Sequence, residues 1–198
     1  MAMDIILASG SPRRKQLLAQ MGVKDFKIVA SDADETVAPG LPPAQIVETL
    51  SARKAEAVAG EAGPGALVIA ADTIVTLEGA VLGKPADELE AFRMLSALSG
   101  QRHQVYTGVT LLLDGARRTE HEVTTVTFRE LTEADITRYI ATGEPMDKAG
   151  AYGIQGFGAL LVERIEGDYF NVMGLPVCRL GGMLAGLGID CLALAAGE

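Results

Sequence analysis

The stretch ILASGSPRRKQLL at residues 6–18 joins an apolar strand to a cationic helix through a turn of small residues. Ser11 is suited to cap a helix, and Pro12 can occupy the first helical position, where the missing N–H of proline costs nothing. The free N–H groups of a helix start attract anions, and Arg13 and Arg14 add paired donors that match phosphate oxygens. The stretch therefore predicts either a pocket for a polyphosphate or a capped surface helix with solvated arginines.

The composition is that of a globular protein. The chain has 198 residues, of which 48% are hydrophobic and 22% charged, so it can bury a full core. We expect a single domain over residues 1–198 with two lobes. The net charge of −9 argues against binding to a nucleic-acid polymer, which needs a cationic surface. It leaves room for a small anionic substrate in a local basic pocket.

Targeting signals and cysteines bear on the location of the protein. No segment has the pattern of a signal peptide or the length of a transmembrane span, so we expect no membrane association and a cytoplasmic location. Cys178 and Cys191 lie in apolar C-terminal surroundings. We expect them to pack in the core as thiols in a reducing compartment, with a disulfide between them as the alternative.

Strand-like and helix-like segments alternate along the chain, which predicts an α/β fold with a long mixed twisted sheet flanked by helices. The continuous apolar run at residues 66–71 is typical of a central strand buried on both faces. The other strands are predicted at 5–8, 26–30, 105–113, 123–129 and 159–165, with helices at 44–59, 87–98 and 132–142, a turn at 167–172 and a C-terminal helix that begins at 175. Residues 74–77 continue the central strand or pair again as a strand of their own, and a hairpin turn at Glu78-Gly79 leads into residues 80–82.

Asp72 directly follows the apolar run at residues 66–71. An unpaired buried charge is costly, and ligand-binding groups in open α/β sheets gather at strand ends. Asp72 is therefore the strongest single candidate for a chemical role. The alternative is that its carboxylate caps the next turn.

Three further charged segments are candidates for the same chemistry. Lys54 falls on the inward stripe of the helix predicted at 44–59, so its ammonium either snorkels to water or points into a cleft. Pro85 holds Lys84 in an extended conformation, which fixes the backbone from which the Lys84 side chain projects. The acidic segment at 31–35 is either a solvated loop or a set of carboxylates that hold a divalent cation or move a proton.

The segment DKAGAYGIQG at residues 147–156 contains three glycines within seven residues. Such a loop lets the backbone approach a ligand, and Gln155 offers both a donor and an acceptor to a base edge. An irregular loop without a ligand is the alternative.

Two familiar kinds of site are missing. His103 and His121 are distant in sequence from each other and from both cysteines, so the spacing of a zinc site is missing and we expect structural or exposed roles for both. The pattern G-x-x-x-x-G-K-[ST] is also missing, which argues against a P-loop NTPase.

Six motifs in order, LASGSPRR, AADT followed by IV, GKP, SGQRHQVYTG, DKAGAYGIQG and GLP, resemble the Maf family of nucleoside triphosphate pyrophosphatases from Leu7 to about Pro176. The resemblance implies a mixed sheet in two lobes around a deep cleft, similar to inosine triphosphatase. It also implies hydrolysis of a nucleoside triphosphate to the monophosphate and pyrophosphate with Mg²⁺ or Mn²⁺, and a homodimer. The loop sequence DKAGAYGIQG looks like the branch that acts on dTTP and UTP.

The same resemblance implies roles for individual residues. Asp72 is the general base, Arg13, Thr73 and Gln155 determine specificity, Ser9, Arg14, Lys54 and Lys84 surround the triphosphate, and Glu35 joins Asp72 at the metal. Whether Asp72 is base, metal ligand or both stays open. Two other functions also stay open: a nucleotide-binding regulator of cell division or septum formation, and a hydrolase that removes deaminated purine triphosphates.

Overall fold

Seven strands form one mixed sheet within residues 3–196, which the computed structural model describes. The strands are β1 (Ile5–Leu7), β2 (Lys27–Ile28), β3 (Leu67–Leu77), β4 (Ala80–Leu82), β5 (Arg102–Leu113), β6 (Ala116–Phe128) and β7 (Val162–Glu166). Their order is β2-β1-β3-β5-β6-β7, with β4 paired to β3. β1 runs parallel to β2 and β3, whereas the β3–β4 and β6–β7 pairs are antiparallel. The predicted fold class is confirmed.

The helices are α1 (Pro12–Gln20), α2 (Pro43–Ala59), α3 (Glu88–Leu98), α4 (Glu133–Ile140), α5 (Tyr169–Met173), α6 (Val177–Ala185) and α7 (Cys191–Ala196). Short 3₁₀ turns cover Glu144–Asp147, Ala149–Ala151 and Gly156–Leu160. None of the helices within residues 3–196 has the length and apolar character needed to cross a membrane. The cytoplasmic location stays a prediction.

The chain divides into two compact units. The first contains the described residues up to Asp72, Thr107–Glu122 and the segment that begins at Gly174, and the second contains Thr73–Tyr106 and Val123–Met173. The chain passes from one unit to the other within β3, β5 and β6. The predicted organisation as a single domain of two lobes stays a prediction.

In the first unit, helix starts and close packing follow the sequence pattern. Ser11 caps α1 and accepts a hydrogen bond from the Arg14 backbone N–H at 3.5 Å, with Pro12 at the first helical position, as predicted. A Cβ at position 108 would lie 2.2 Å from the Val47 carbonyl oxygen. Gly108 therefore lets β5 approach the backbone of α2 more closely than any other residue would allow.

In the second unit, polar caps and an apolar cluster fix the helices. Asp87 caps α3, and Thr132 forms a capping box with Asp135 at the start of α4, so both helices begin one residue later than predicted. The cluster includes Leu95, Leu98, Val105, Phe128, Ile136, Tyr139 and Tyr152, all of which are buried.

Several predicted boundaries are wrong because polar residues take part in regular structure. β3 does not end at Asp72 but continues unbroken to Leu77, and β6 begins at Ala116 rather than at residue 123. The hairpin that pairs residues 75–77 with β4 is confirmed. The charged side chains in the first half of β6 form ion pairs, such as Arg118–Glu120. Residues 159 and 160 belong to a 3₁₀ turn and Leu161 follows it, so β7 begins at Val162.

The turn predicted at 167–172 is instead the start of α5. Asp168 accepts a hydrogen bond from the Phe170 N–H at 2.8 Å, and the buried Asn171 amide donates to the Val105 carbonyl at 2.9 Å and the Thr124 hydroxyl at 3.0 Å. The polar side chains of this segment suggested a loop. In the structure they form the hydrogen bonds that cap a helical turn and attach it to the rest of the second unit.

The expected core packing of the cysteines is also wrong. Cys178 is exposed on α6 and Cys191 is half-buried, and both are free thiols. Cys178 faces outward because α6 buries Leu180, Met183 and Leu184 instead.

A buried histidine lies in the apolar cluster of the second unit. His103 Nε2 is 2.8 Å from the Tyr152 hydroxyl, and its ring meets Phe128 edge-on with centroids 5.0 Å apart. Burial lowers the pKa of His103 from 6.5 to about 4, so the ring is neutral at pH 7.

This depressed pKa predicts an acid-sensitive core. Between pH 6.5 and 4 the unfolded chain binds a proton that folded His103 refuses, so acidification destabilises the fold by on the order of 3 kcal/mol. We expect His103→Gln, which cannot titrate, to flatten this part of the dependence of unfolding free energy on pH, measured by urea denaturation at pH 7, 5.5 and 4.5. Parallel pH profiles for wild type and variant would contradict the assignment.

Candidate active site

The first unit places one ammonium group between two carboxylates. Lys54 Nζ lies 2.5 Å from Asp72 Oδ1 and 2.7 Å from Glu35 Oε1. The Lys54 and Asp72 side chains are only 14% and 10% exposed, whereas Glu35 is 65% exposed. Of the two alternatives for Lys54, the structure supports the inward one, because the ammonium meets carboxylates instead of snorkelling to water.

Asp72 is the sixth of eleven residues in β3 and does not lie beyond its end. The alternative that it caps a following turn is therefore wrong. Both preceding residues, Ala70 and Ala71, are completely buried. A carboxylate in this position needs a compensating charge, which Lys54 supplies at Oδ1. Within residues 3–196 nothing donates a hydrogen bond to the other oxygen, Oδ2, which leaves a lone pair for a proton.

The turn before α1 holds an arginine in a fixed position. The Ser9 hydroxyl accepts hydrogen bonds from the Ser11 N–H at 3.2 Å and from Arg14 Nη1 at 3.3 Å. Arg14 Nε also donates to the Gly174 carbonyl at 2.8 Å. The guanidinium is therefore oriented by two partners before any ligand arrives.

The electrostatic environment of Arg14 joins the turn to the ion pair. Burial lowers the pKa of the Arg14 guanidinium, the carboxylates of Asp72 and Glu35 raise it, and neighbouring Arg13 lowers it. Asp72 and Glu35 are thus near enough to act on Arg14 through their charges. The guanidinium stays charged at neutral pH because an arginine does not lose its proton in proteins.

The first turn of α1 carries positively charged side chains and no negative one. It contains Arg13 and Arg14 and no acidic residue, although the helix dipole favours negative charge at this end. The arrangement costs helix stability and attracts an anion. It supports the polyphosphate alternative for this stretch over solvated surface arginines, since both side chains are partly buried.

The remaining candidates lie in the second unit. Lys84 is exposed and Gln155 is half-buried, and neither side chain forms a hydrogen bond or ion pair within residues 3–196. The Gly150 N–H donates to the Gly83 carbonyl at 3.0 Å. This hydrogen bond connects residues 147–158, which we call the glycine loop, to the segment that carries Lys84. Thr73 is half-buried and follows Asp72 in β3.

The predicted site residues thus form two sets. Ser9, Arg13, Arg14, Glu35, Lys54 and Asp72 belong to the first unit, and Thr73, Lys84 and Gln155 belong to the second. That both sets share one cavity stays a prediction.

The donors of the first unit suit a divalent cation. Glu35 Oε1 and Asp72 Oδ1 both converge on Lys54 Nζ, and carboxylate oxygens are the ligands that Mg²⁺ takes together with water and substrate phosphates. Within residues 3–196 no group of three or more His, Cys, Asp or Glu side chains could hold a metal ion by itself. Glu35 and Asp72 are therefore the two carboxylates of the first unit that fit a divalent cation.

Sequence reasoning missed two contributors. The first is the Gly174 carbonyl, which orients Arg14. Gly174 begins the GLP motif, which is the one feature of the sequence that pointed to this position. Glu144 binds the glycine loop through the N–H groups of Phe157 and Gly158. This contact could not be predicted from the sequence of the loop, because the folded path of the backbone decides which carboxylate reaches these N–H groups.

The ion pair makes a prediction about stability. Lys54→Met removes the ammonium and leaves Asp72 uncompensated, so we expect the free energy of unfolding to fall by about 3 kcal/mol. The double variant Lys54→Met/Asp72→Asn should recover part of this loss, measured by urea denaturation at pH 7. Lys24→Met, at an exposed position, is the control and should change little. A loss as small as that of the control, or no recovery in the double variant, would contradict the pairing.

Comparison with known proteins places the chain in a family. Residues 4–187 match the family described as Maf-like protein. The chain is 49% identical over 193 residues to a dTTP/UTP pyrophosphatase of Caldicellulosiruptor saccharolyticus, covering 95% of this chain and 96% of the relative. It is 54% identical over 188 residues to a dTTP/UTP pyrophosphatase of Moorella thermoacetica, covering 94% and 96%.

A solved structure supports the fold. The structure of a HAM1 protein from Coxiella burnetii aligns with 93% of this chain and 100% of its own, with a TM-score of 0.52 and 16% identity. At this identity the likeness concerns the fold alone. The sequence match over nearly the whole chain confirms the resemblance drawn from the six motifs, and the chain belongs to the Maf family.

Proposed function

We propose that this protein is a nucleoside triphosphate pyrophosphatase that hydrolyses dTTP and UTP, or modified pyrimidine nucleotides, to the monophosphate and pyrophosphate. The observation that carries the proposal is the buried Lys54–Asp72 pair. The charge of Asp72 acts on Arg14, which lies in the first turn of α1, where there is no acidic residue. The names of relatives about half identical in sequence support the substrate class.

The phosphate chain is bound by positive charge. Arg13, Arg14 and the N-terminal turn of α1 bind phosphate oxygens, and the Ser9 hydroxyl keeps the Arg14 guanidinium oriented. Lys84 adds a further ammonium from the second unit. These groups stabilise the charge that builds on the leaving pyrophosphate, usually the largest contribution to catalysis of phosphoryl transfer.

Asp72 activates the water. Lys54 holds its Oδ1, so Oδ2 takes the proton as the water attacks the α-phosphorus. The bond between the α-phosphorus and the bridging oxygen breaks, and pyrophosphate leaves with the bridging oxygen. Lys54 thus positions the base and supplies the opposite charge that its carboxylate needs in a buried strand.

Glu35 and Asp72 are the residues that would hold Mg²⁺ or Mn²⁺ with the substrate. When bound, the cation neutralises phosphate charge and polarises the reacting phosphoryl group. Lys54 lies where the two carboxylates converge, so its ammonium must move or share these oxygens when the cation binds.

Gln155 and Thr73 read the base. The Gln155 amide offers a donor and an acceptor to the pyrimidine edge, and Arg13 contributes to the same discrimination. A base that leaves a buried polar group unpaired is rejected strongly. The homodimer stays a prediction.

Product analysis with a panel of triphosphates tests the reaction and the base together. We expect wild type to release pyrophosphate from dTTP and UTP, and Asp72→Asn to lose about 1,000-fold in kcat because the general base is missing. Asp25→Asn, at an exposed position, is the matched control and should keep wild-type rates.

Other outcomes of this assay point elsewhere. Orthophosphate as product, or near wild-type turnover by Asp72→Asn, would refute the mechanism. Binding without turnover would indicate a nucleotide-binding regulator of cell division or septum formation. Preference for deaminated purine triphosphates would indicate the other hydrolase class.

Base selection is tested separately at Gln155. We expect Gln155→Ala to reduce the preference for dTTP and UTP over purine triphosphates by at least about tenfold in the ratio of kcat/KM values, because it removes the discriminating amide. Gln20→Ala, at an exposed position on α1, controls for loss of a glutamine elsewhere. An unchanged ranking of nucleotides would exclude Gln155 from specificity.

A further inference from the structure

The glycine loop is fastened to two side chains that precede it in sequence. Tyr139 lies in the last turn of α4, and Glu144 begins the 3₁₀ turn that follows. We call these two residues the anchor pair. Both belong to the second unit, as does the whole loop.

The anchor pair binds the loop on both sides of Gln155. The Phe157 N–H donates to Glu144 Oε2 at 2.9 Å, and the Gly158 N–H donates to Oε1 at 3.0 Å. The Gly153 N–H donates to the Tyr139 hydroxyl at 3.2 Å. The backbone is therefore held by hydrogen bonds two residues before Gln155, at Gly153, and two residues after it, at Phe157.

The two anchors also fix each other. The Tyr139 hydroxyl donates to Glu144 Oε1 at 2.9 Å, and Tyr139 is only 5% exposed. Burial, together with the charge of Glu144, raises the pKa of Tyr139 well above its ordinary value, so the hydroxyl keeps its proton and acts as a donor. The capping box of α4 gives this anchor a rigid support.

The glycines of the loop fit this arrangement. A Cβ on Gly156 would lie 2.5 Å from Glu144 Oε2, and a Cβ on Gly158 would lie 2.1 Å from the Gly153 carbonyl oxygen and 2.8 Å from the Tyr139 hydroxyl oxygen. Gly156 also has a φ of 65°, which disfavours other residues. Gly156 thus makes room for Glu144, whereas Gly158 makes room for the Gly153 carbonyl as well as for Tyr139.

We propose that Tyr139 and Glu144 are positioning residues for base selection, which act by fixing the backbone that presents Gln155. The inference rests on the proposed function and extends it to residues that need not touch the nucleotide. A side chain that discriminates by hydrogen bonds must be held to within about 0.5 Å, and its support sets that precision. Loosening the anchors therefore weakens discrimination while the phosphate chemistry of the first unit is retained.

The test uses Tyr139→Phe and Glu144→Gln in the full-length protein. Tyr139→Phe removes the hydroxyl that serves Gly153 and Glu144, and Glu144→Gln places an amide donor against a backbone N–H. For each variant we expect the preference for dTTP over purine triphosphates to fall about tenfold, towards that of Gln155→Ala. We expect this loss of preference to come from altered KM values. The kcat for dTTP should stay within about threefold of wild type, because the reacting groups are untouched.

A double variant separates positioning from a general structural defect. If Tyr139 acts through Gln155, Tyr139→Phe/Gln155→Ala should show no greater loss of preference than Gln155→Ala alone. Tyr169→Phe, which removes a hydroxyl from a partly exposed ring on α5, is the matched control and should keep the wild-type preference.

Hydrogen exchange checks the geometry without turnover. We expect the amides of Phe157 and Gly158 to exchange at least about tenfold faster in Glu144→Gln than in wild type, with protection of α4 retained. Full loss of preference on top of Gln155→Ala, or a preference that survives both single substitutions, overturns the inference alone. A wild-type protein that turns over no triphosphate overturns the proposed function and the inference with it.

Discussion

The ion pair between Lys54 and Asp72 is the constraint on which the first unit depends. A carboxylate in the middle of a buried strand is strongly destabilising unless an opposite charge reaches it. Lys54 reaches Asp72 Oδ1 at 2.5 Å because α2 lies close to the sheet, and Gly108 permits that approach by removing a Cβ that would collide with Val47. The same contact leaves one carboxylate oxygen for chemistry. In the proposed mechanism, stability and reactivity therefore have a single geometric cause.

The positive start of α1 is the second unusual feature, and it supports the same interpretation. Helices prefer acidic residues in the first turn, whereas α1 has Arg13 and Arg14 there. Ser9 and the Gly174 carbonyl orient Arg14 in advance, so little conformational entropy is lost when a phosphate binds. An orientation fixed before binding is expected of a site and is uncommon on a solvated surface.

Much of this could be predicted from local chemistry. The caps at Ser11, Asp87 and Thr132 fix helix starts through contacts within four residues, and the apolar run before Asp72 identified a buried strand. The errors have a common origin in long-range contacts. The unbroken passage of β3 through Asp72 depends on the charge of Lys54, 18 residues earlier in sequence. Similarly, α5 depends on Asn171, whose partners lie 47 and 66 residues earlier. Likewise, the importance of Glu144 appears only once the glycine loop is folded around it.

The central claim is that water attacks the α-phosphorus of a pyrimidine nucleoside triphosphate, so that pyrophosphate leaves intact. Hydrolysis of UTP in water enriched in ¹⁸O, followed by mass spectrometry of the products, tests this most directly. The account predicts one ¹⁸O atom in the monophosphate and none in the pyrophosphate. An ¹⁸O atom in the pyrophosphate, or in orthophosphate, would show that water attacks a different phosphorus and would contradict the account.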